Sequence, residues 1–229
     1  MLATGLLLLL CGCGGSGTGS QTSLTADDAG GITQKIAEPR EEDAAFTQEE
    51  LEAYITAQTE AYPGGGVSLT SCKTDDQKVE IVLQYASWKD YAEFNQVVCF
   101  QGTIAEASEA GYDMNQAWVD TSGKPAEKET IREREGEWKI FILEEPVRLK
   151  LPDKILYTTD NVTVTGRLTA RVDTVMEQSS TGTPAEEPEA VAVSSSVTEE
   201  KEPSLAADEP SVINRYATVA DRYAYIIYK

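Results

Sequence analysis

Lys78-Val79-Glu80-Ile81-Val82-Leu83-Gln84-Tyr85-Ala86 is the stretch whose reading decides the fold. Val79, Ile81, Leu83 and Tyr85 recur at every second position, the side-chain period of a β-strand. Glu80 and Gln84 fall on the other face, so one side of the strand is buried and the other is wet. Immediately upstream, Val67 to Cys72 reads as a partner strand, with Thr74-Asp75-Asp76 as the turn between them. A sheet with one wet face is therefore expected at the centre of the domain.

Helices flank this hairpin on both sides. Thr47-Gln48-Glu49-Glu50 is a capping box: the Thr47 hydroxyl accepts from the Glu50 N–H, and the Glu50 carboxylate reaches back. Phe46 and Leu51 occupy the hydrophobic staple positions. Leu51, Tyr54, Ile55 and Tyr62, with Ala57 and Ala61, form one apolar face, and Pro63-Gly64-Gly65-Gly66 ends the helix. Downstream, Ser87-Trp88-Lys89-Asp90 starts a short helix with Trp88, Tyr91 and Phe94 turned inward. Val97 to Gly102 reads as a strand. Thr103-Ile104-Ala105-Glu106 is a second capping box, opening a helix that Gly111 closes.

The remainder is strand-like. Expected strands run over Glu129 to Glu135, Trp138 to Glu144, Val147 to Leu151, Lys154 to Tyr157, Val162 to Thr165 and Leu168 to Val175. Glu145-Pro146, Pro152-Asp153, Asp160-Asn161 and Gly166 punctuate them. Glu177 to Ser211 is rich in Ser, Thr, Pro, Glu and Ala and is too poor in apolar residues to offset its ordering entropy. Yet Tyr223-Ala224-Tyr225-Ile226-Ile227-Tyr228 resumes a strand pattern, so 177–211 is expected as a disordered insertion within the domain. The fold class is α+β, with short helices mainly in the N-terminal half packed on a largely antiparallel sheet.

Ahead of this domain, Leu6 to Gly15 read LLLLLCGCGG. The apolar run is too short for a spanning helix, which takes about 20 residues, and it reads as a targeting segment. No Lys or Arg precedes the leucines, so the basic opening of such a leader is expected upstream of Met1. Leu10-Cys11-Gly12-Cys13 resembles a bacterial lipobox. The resemblance implies that Cys13 receives the acyl chains, of the palmitate type, and becomes the mature N-terminus. Cys11 is the poorer acceptor because Leu10 before it is too large for the small-residue position. Gly14 to Ala45 is rich in Gly, Ser, Thr, Asp and Glu and reads as a tether, with a coil reach of about 30 Å. The expected layout is 1–12 signal peptide, 13–45 flexible tether and 46–229 a single domain. The short helices, then DNVTVTG at Asp160 to Gly166 and YIIYK at Tyr225 to Lys229, resemble uncharacterised lipoproteins of Gram-positive Clostridia, a resemblance that imports no activity.

Charge and composition exclude several function classes. The chain has 229 residues and a net charge of −20. Gln21 to Glu60 and Glu177 to Pro210 each carry −8, so the rest is close to balanced. Such acidity repels phosphate backbones, so no nucleic-acid partner is expected, and it argues against electrostatic docking on anionic lipid. There is no histidine, which removes Ser-His-Asp and Cys-His nucleophile systems and imidazole zinc sites. No cofactor or metal is expected.

The remaining chemical candidates each have a plain structural reading. Glu144 and Glu145 are neighbours in a strand and so point to opposite faces, which argues against a catalytic dyad. Asp75-Asp76 and Asp160-Asn161 carry calcium-type oxygens, but both sit where turns favour Asp and Asn. Tyr223 and Tyr225 share a strand face with Ile227, as core residues do, and Trp88, Trp118 and Trp138 lie elsewhere. Asn161-Val162-Thr163 is a formal glycosylation sequon, and Gly12-x-Gly14-x-x-Gly17 a formal dinucleotide fingerprint without its strand and helix. Cys72 and Cys99 are the cysteines left besides the acylated Cys13 after Cys11 departs. A bond between them would close a loop of about 27 residues, worth about 3 kcal/mol, against the alternative of two buried thiols. The expected function is a membrane-anchored extracytoplasmic lipoprotein, a non-enzymatic binding or interaction module for an unknown protein or small-molecule ligand. A solute-binding component of a transporter and a carboxylate-dependent hydrolase of the envelope are the alternatives.

Overall fold

The computed structural model describes residues 22–40, 46–173 and 223–229. The fold is α+β. Among the described residues, twelve strands form two sheets and four helices pack on them. The sheet expected from the sequence is thus two. Among the described residues, no helix is long and apolar enough to cross a membrane.

Strands β1 (Ser23–Ala26) and β2 (Ile32–Pro39) form a hairpin. At its turn the Asp27 carboxylate accepts from the N–H groups of Ala29 and Gly31, both at 2.8 Å, and Gly30 takes φ +93°. β2 pairs with β4 (Lys78–Tyr85), and β4 with β3 (Val67–Thr74), all antiparallel. On the other side β1 runs parallel to β8 (Arg148–Lys150), which continues to β11 (Thr169–Val172) and β10 (Val162–Val164). The seven-stranded sheet A thus has the order β10-β11-β8-β1-β2-β4-β3, with β1 in the middle.

Over residues 22–40 this replaces the tether reading of 13–45 with paired strands. Leu24 and Ala26, then Ile32 and Ile36, are buried on the same sheet face as Ile81 and Leu83. Two features hid the pattern: the Gly, Asp and Thr background, and Gln34, which takes an inward place that an apolar residue would normally hold. Residues 1–21, including the signal reading and Cys13, lie outside the described residues, as does the insertion expected over 177–211.

Sheet B has the order β5-β7-β12-β9-β6. Its strands are β5 (Cys99–Thr103), β6 (Val119–Asp120), β7 (Lys139–Leu143), β9 (Ile155–Thr158) and β12 (Ala224–Tyr228). One face, carrying Phe141, Leu143, Ala224 and Ile226, meets the inner face of sheet A. The opposite face, carrying Ile140, Ile142, Tyr225 and Ile227, forms a second core. Sheet B is therefore the middle layer, which is why KIFIL and AYIIY lack polar alternation.

The helices cover what the sheets leave open. α1 (Gln48–Ala61) starts at the expected Thr47 capping box, and its Leu51 and Ile55 pack with β3 and β4 on the inner face of sheet A. α2 (Trp88–Asn95) buries Tyr91 completely and ends on Gln96 at φ +57°. α3 (Ile104–Glu109) uses the Thr103–Glu106 capping box and stops before Gly111, at φ +91°. Ile104 and Ala107 seal the second core. So does Ile131, which lies in α4 (Lys128–Arg132) rather than in the strand expected over Glu129 to Glu135. That segment has one apolar residue to bury, and its charges pair at helical spacing, Arg132 with Glu129 and Arg134 with Glu137.

Leu24→Ala should cost about 2–5 kcal/mol in urea unfolding, the same range as Ile226→Ala at the centre of sheet B. A flexible tether at Leu24 would show no loss.

Candidate functional site

The residues singled out from the sequence separate in the fold. Cys72 lies in β3 of sheet A and Cys99 in β5 of sheet B, and both are free, buried thiols. Of the two alternatives left open for this pair, the structure has two core thiols. Burial pushes both thiols up, Cys99 well up with the Glu145 charge adding to it. Both shifts disfavour the thiolate, which is the reactive form. The turn readings hold: the Asp75 carboxylate accepts from the N–H groups of Gln77 and Lys78 at 2.8 and 2.9 Å. Asn161 accepts from the Thr159 hydroxyl at 2.7 Å. Among the described residues there is no group of three or more potential metal ligands. Tyr223 and Tyr225 belong to the second core, and Trp118, expected elsewhere, meets Tyr225 edge-on with centroids 6.1 Å apart.

Glu144 and Glu145 diverge as a strand end requires. Glu144 is exposed and accepts from the N–H of Val98 at 3.2 Å. Glu145 turns into the body of the protein, where the Tyr91 hydroxyl donates to it. This carboxylate is the part of the site that the sequence did not disclose. A Glu-Glu-Pro turn reads as solvated, and only the packing of α2 against the strand end brings Tyr91 to it, 54 positions away in sequence.

Around the half-buried Glu145 lies a connected set of buried and part-buried polar groups. The Tyr85 hydroxyl donates to Gln34 Oε1 at 2.6 Å and accepts from Asn95 Nδ2 at 3.1 Å. Asn95 also donates to the Tyr91 carbonyl at 2.9 Å. The Tyr85 and Tyr91 rings meet edge-on at 5.1 Å. Burial raises the pKa of Glu145, the Tyr91 hydrogen bond opposes that rise, and the Glu144 charge adds to it. Burial and the Glu145 charge push the Tyr91 phenol well up, so Tyr91 remains a donor. The cluster holds one acid whose protonation changes above the ordinary glutamate range. It contains neither a second carboxylate facing the first nor an activated nucleophile.

A second feature is on the surface. The outer face of sheet A is covered by no other described element. Its exposed positions include Lys35, Lys73, Lys78, Arg148, Lys150 and Arg171, interspersed with Ser and Thr. Among the described residues, Glu80 bridges to Lys35 and Lys78, Asp173 bridges to Arg171, and the Asp75 charge acts on Lys78. In comparisons with known proteins, no protein-family model, curated protein or solved structure matches the chain.

The Glu145 cluster sets a pH dependence. A carboxyl whose folded pKa exceeds its unfolded value binds more protons in the folded state. Its contribution to stability is full below about pH 4.3 and is lost as pH rises through the folded value. Glu145→Gln should therefore gain stability relative to the wild type as pH rises from about 4 to about 7. Tyr91→Phe removes the donor and should cost about 1–3 kcal/mol at neutral pH, and less in acid, where the protonated carboxyl needs no donor. Urea melts across pH measure both, and an offset that stays constant with pH would contradict the assignment.

Proposed function

We propose that the protein is an extracytoplasmic lipoprotein, acylated at Cys13 and held at the cell membrane, whose domain is a non-enzymatic interaction module. The observation that carries this reading is the succession of LLLLLCGCG and a folded strand that begins at Ser23. A small residue before Cys13 suits acylation. The two chains of a diacylglyceryl group suffice for stable anchoring where one chain binds only marginally.

The domain itself favours binding over chemistry. Its half-buried acid is paired with a phenol, burial disfavours the thiolate form of both cysteines, and its open sheet face is polar. That face is the surface this reading assigns to interaction, and no cofactor enters the proposal. A carboxylate-dependent hydrolase would need a second inward carboxylate, and Tyr91 holds the position beside Glu145 instead.

Cys13→Ala should appear unprocessed or in the medium, and it should lose incorporation of a labelled fatty acid. The wild type should partition with membranes in its processed form. A mutant that fractionates with membranes in mature, acylated form would overturn the anchor assignment.

A further inference from the structure

Where the β1–β2 turn meets sheet B, one buried side chain keeps an unmet acceptor. Gln101 of β5 lies on the face of sheet B turned to sheet A, in register with Phe141 and Ile226, and is 8% exposed. Its amide nitrogen donates to the Asp27 carbonyl at 2.8 Å and to the Tyr228 hydroxyl at 3.0 Å, which uses both amide hydrogens. Gln101 Oε1 is buried and has no hydrogen-bond partner. A flipped amide would not cure this, because the Asp27 carbonyl only accepts and would then face an oxygen. Tyr228 is the complementary case. It is fully buried, its oxygen accepts from Gln101, and among the described residues no acceptor meets its hydroxyl hydrogen. Burial pushes this phenol up to about 12 against the Gln101 hydrogen bond, so the hydrogen is retained at neutral pH.

We infer that one internal water bridges Gln101 Oε1 and the Tyr228 hydroxyl, donating to the first and accepting from the second. A buried acceptor and a buried donor, joined through one amide and each unmet, call for a small molecule that carries both functions. Left unmet, each would bear its full desolvation cost. The surroundings favour water over a cation. Both oxygens are uncharged, and the cross-strand neighbour of Tyr228 is Lys139, whose ammonium already answers the Asp28 carboxylate at 3.7 Å. The water completes a tie among three elements: the β1–β2 turn through Asp27, β5 through Gln101 and β12 through Tyr228. It therefore holds the N-terminal hairpin of sheet A to the last strand of sheet B. Every group in the tie is internal, so it owes nothing to the charge or cover of the outer surface.

Two measurements on the full-length chain test this. Nuclear magnetic resonance reads cross-relaxation from water to the Gln101 Cγ protons, which do not exchange with solvent. Oxygen-17 relaxation dispersion counts long-lived internal waters without relying on any protein proton. The wild type should show cross-relaxation of the sign that a long-lived water gives. Tyr228→Phe removes the hydroxyl and keeps the Gln101 amide; Gln101→Met removes the acceptor and keeps the hydroxyl. Each variant should lose one long-lived water from the dispersion amplitude. An amplitude unchanged in both variants overturns the inference. Loss in Gln101→Met with retention in Tyr228→Phe also overturns it, because the water would then not depend on the second partner. Absent cross-relaxation together with a melting temperature raised by potassium or ammonium ions would replace the water with a cation. If neither variant folds, the wild-type spectrum decides: no cross-relaxation at the Gln101 Cγ protons sinks the bridge.

Discussion

Burial of the β7–β12 pair on both faces is the constraint from which the rest of the molecule follows. Ile140 to Leu143 and Ala224 to Ile227 have essentially no solvent exposure. A sheet with two apolar faces needs two covers. Sheet A and α1 form one, and α3, α4 and the loop carrying Trp118 form the other. The second cover is built from short pieces, helices of six and five residues. Such pieces have little stability of their own and are held by the strands beneath them.

Polar groups enter this core where the layers meet. Gln34 of sheet A receives the Tyr85 hydroxyl, Tyr91 of α2 holds Glu145, and Gln101 of β5 donates to the Asp27 carbonyl and the Tyr228 hydroxyl. Gln101 thereby ties the β1–β2 turn to the last strand. Hydrogen bonds of this kind stabilise only modestly, but an unmet buried partner is costly. They therefore select one registration of the layers over others of similar hydrophobic burial. Glu145 is the expensive member, since burial opposes its charge and its phenolic partner only partly offsets that cost.

The surface is as segregated as the core is layered. Glutamates line the exposed side of α1, while Lys and Arg stand among Ser, Thr and Glu80 at the outward positions of sheet A. In a strand the outward positions recur every second residue, so cations widely separated in sequence come into register across neighbouring strands. A net charge averages these regions and conceals both.

Local signals were legible from the sequence because they depend on neighbours. The Thr47 and Thr103 capping boxes, the Asp75 turn and the period-two run of β4 each involve residues a few positions apart, and the chain shows them directly. The α+β class follows from the same periodicities. Three things required the tertiary structure. Leu24 and Ile32 acquire strand character by pairing with β8 and β4, against a composition that reads as a linker. Glu129 to Glu135 becomes helical because a single residue, Ile131, is buried there. Glu145 becomes an inward acid because α2 delivers Tyr91 to it from 54 positions away. In each case the deciding contacts are remote in sequence, and their energy appears only once the tertiary structure forms.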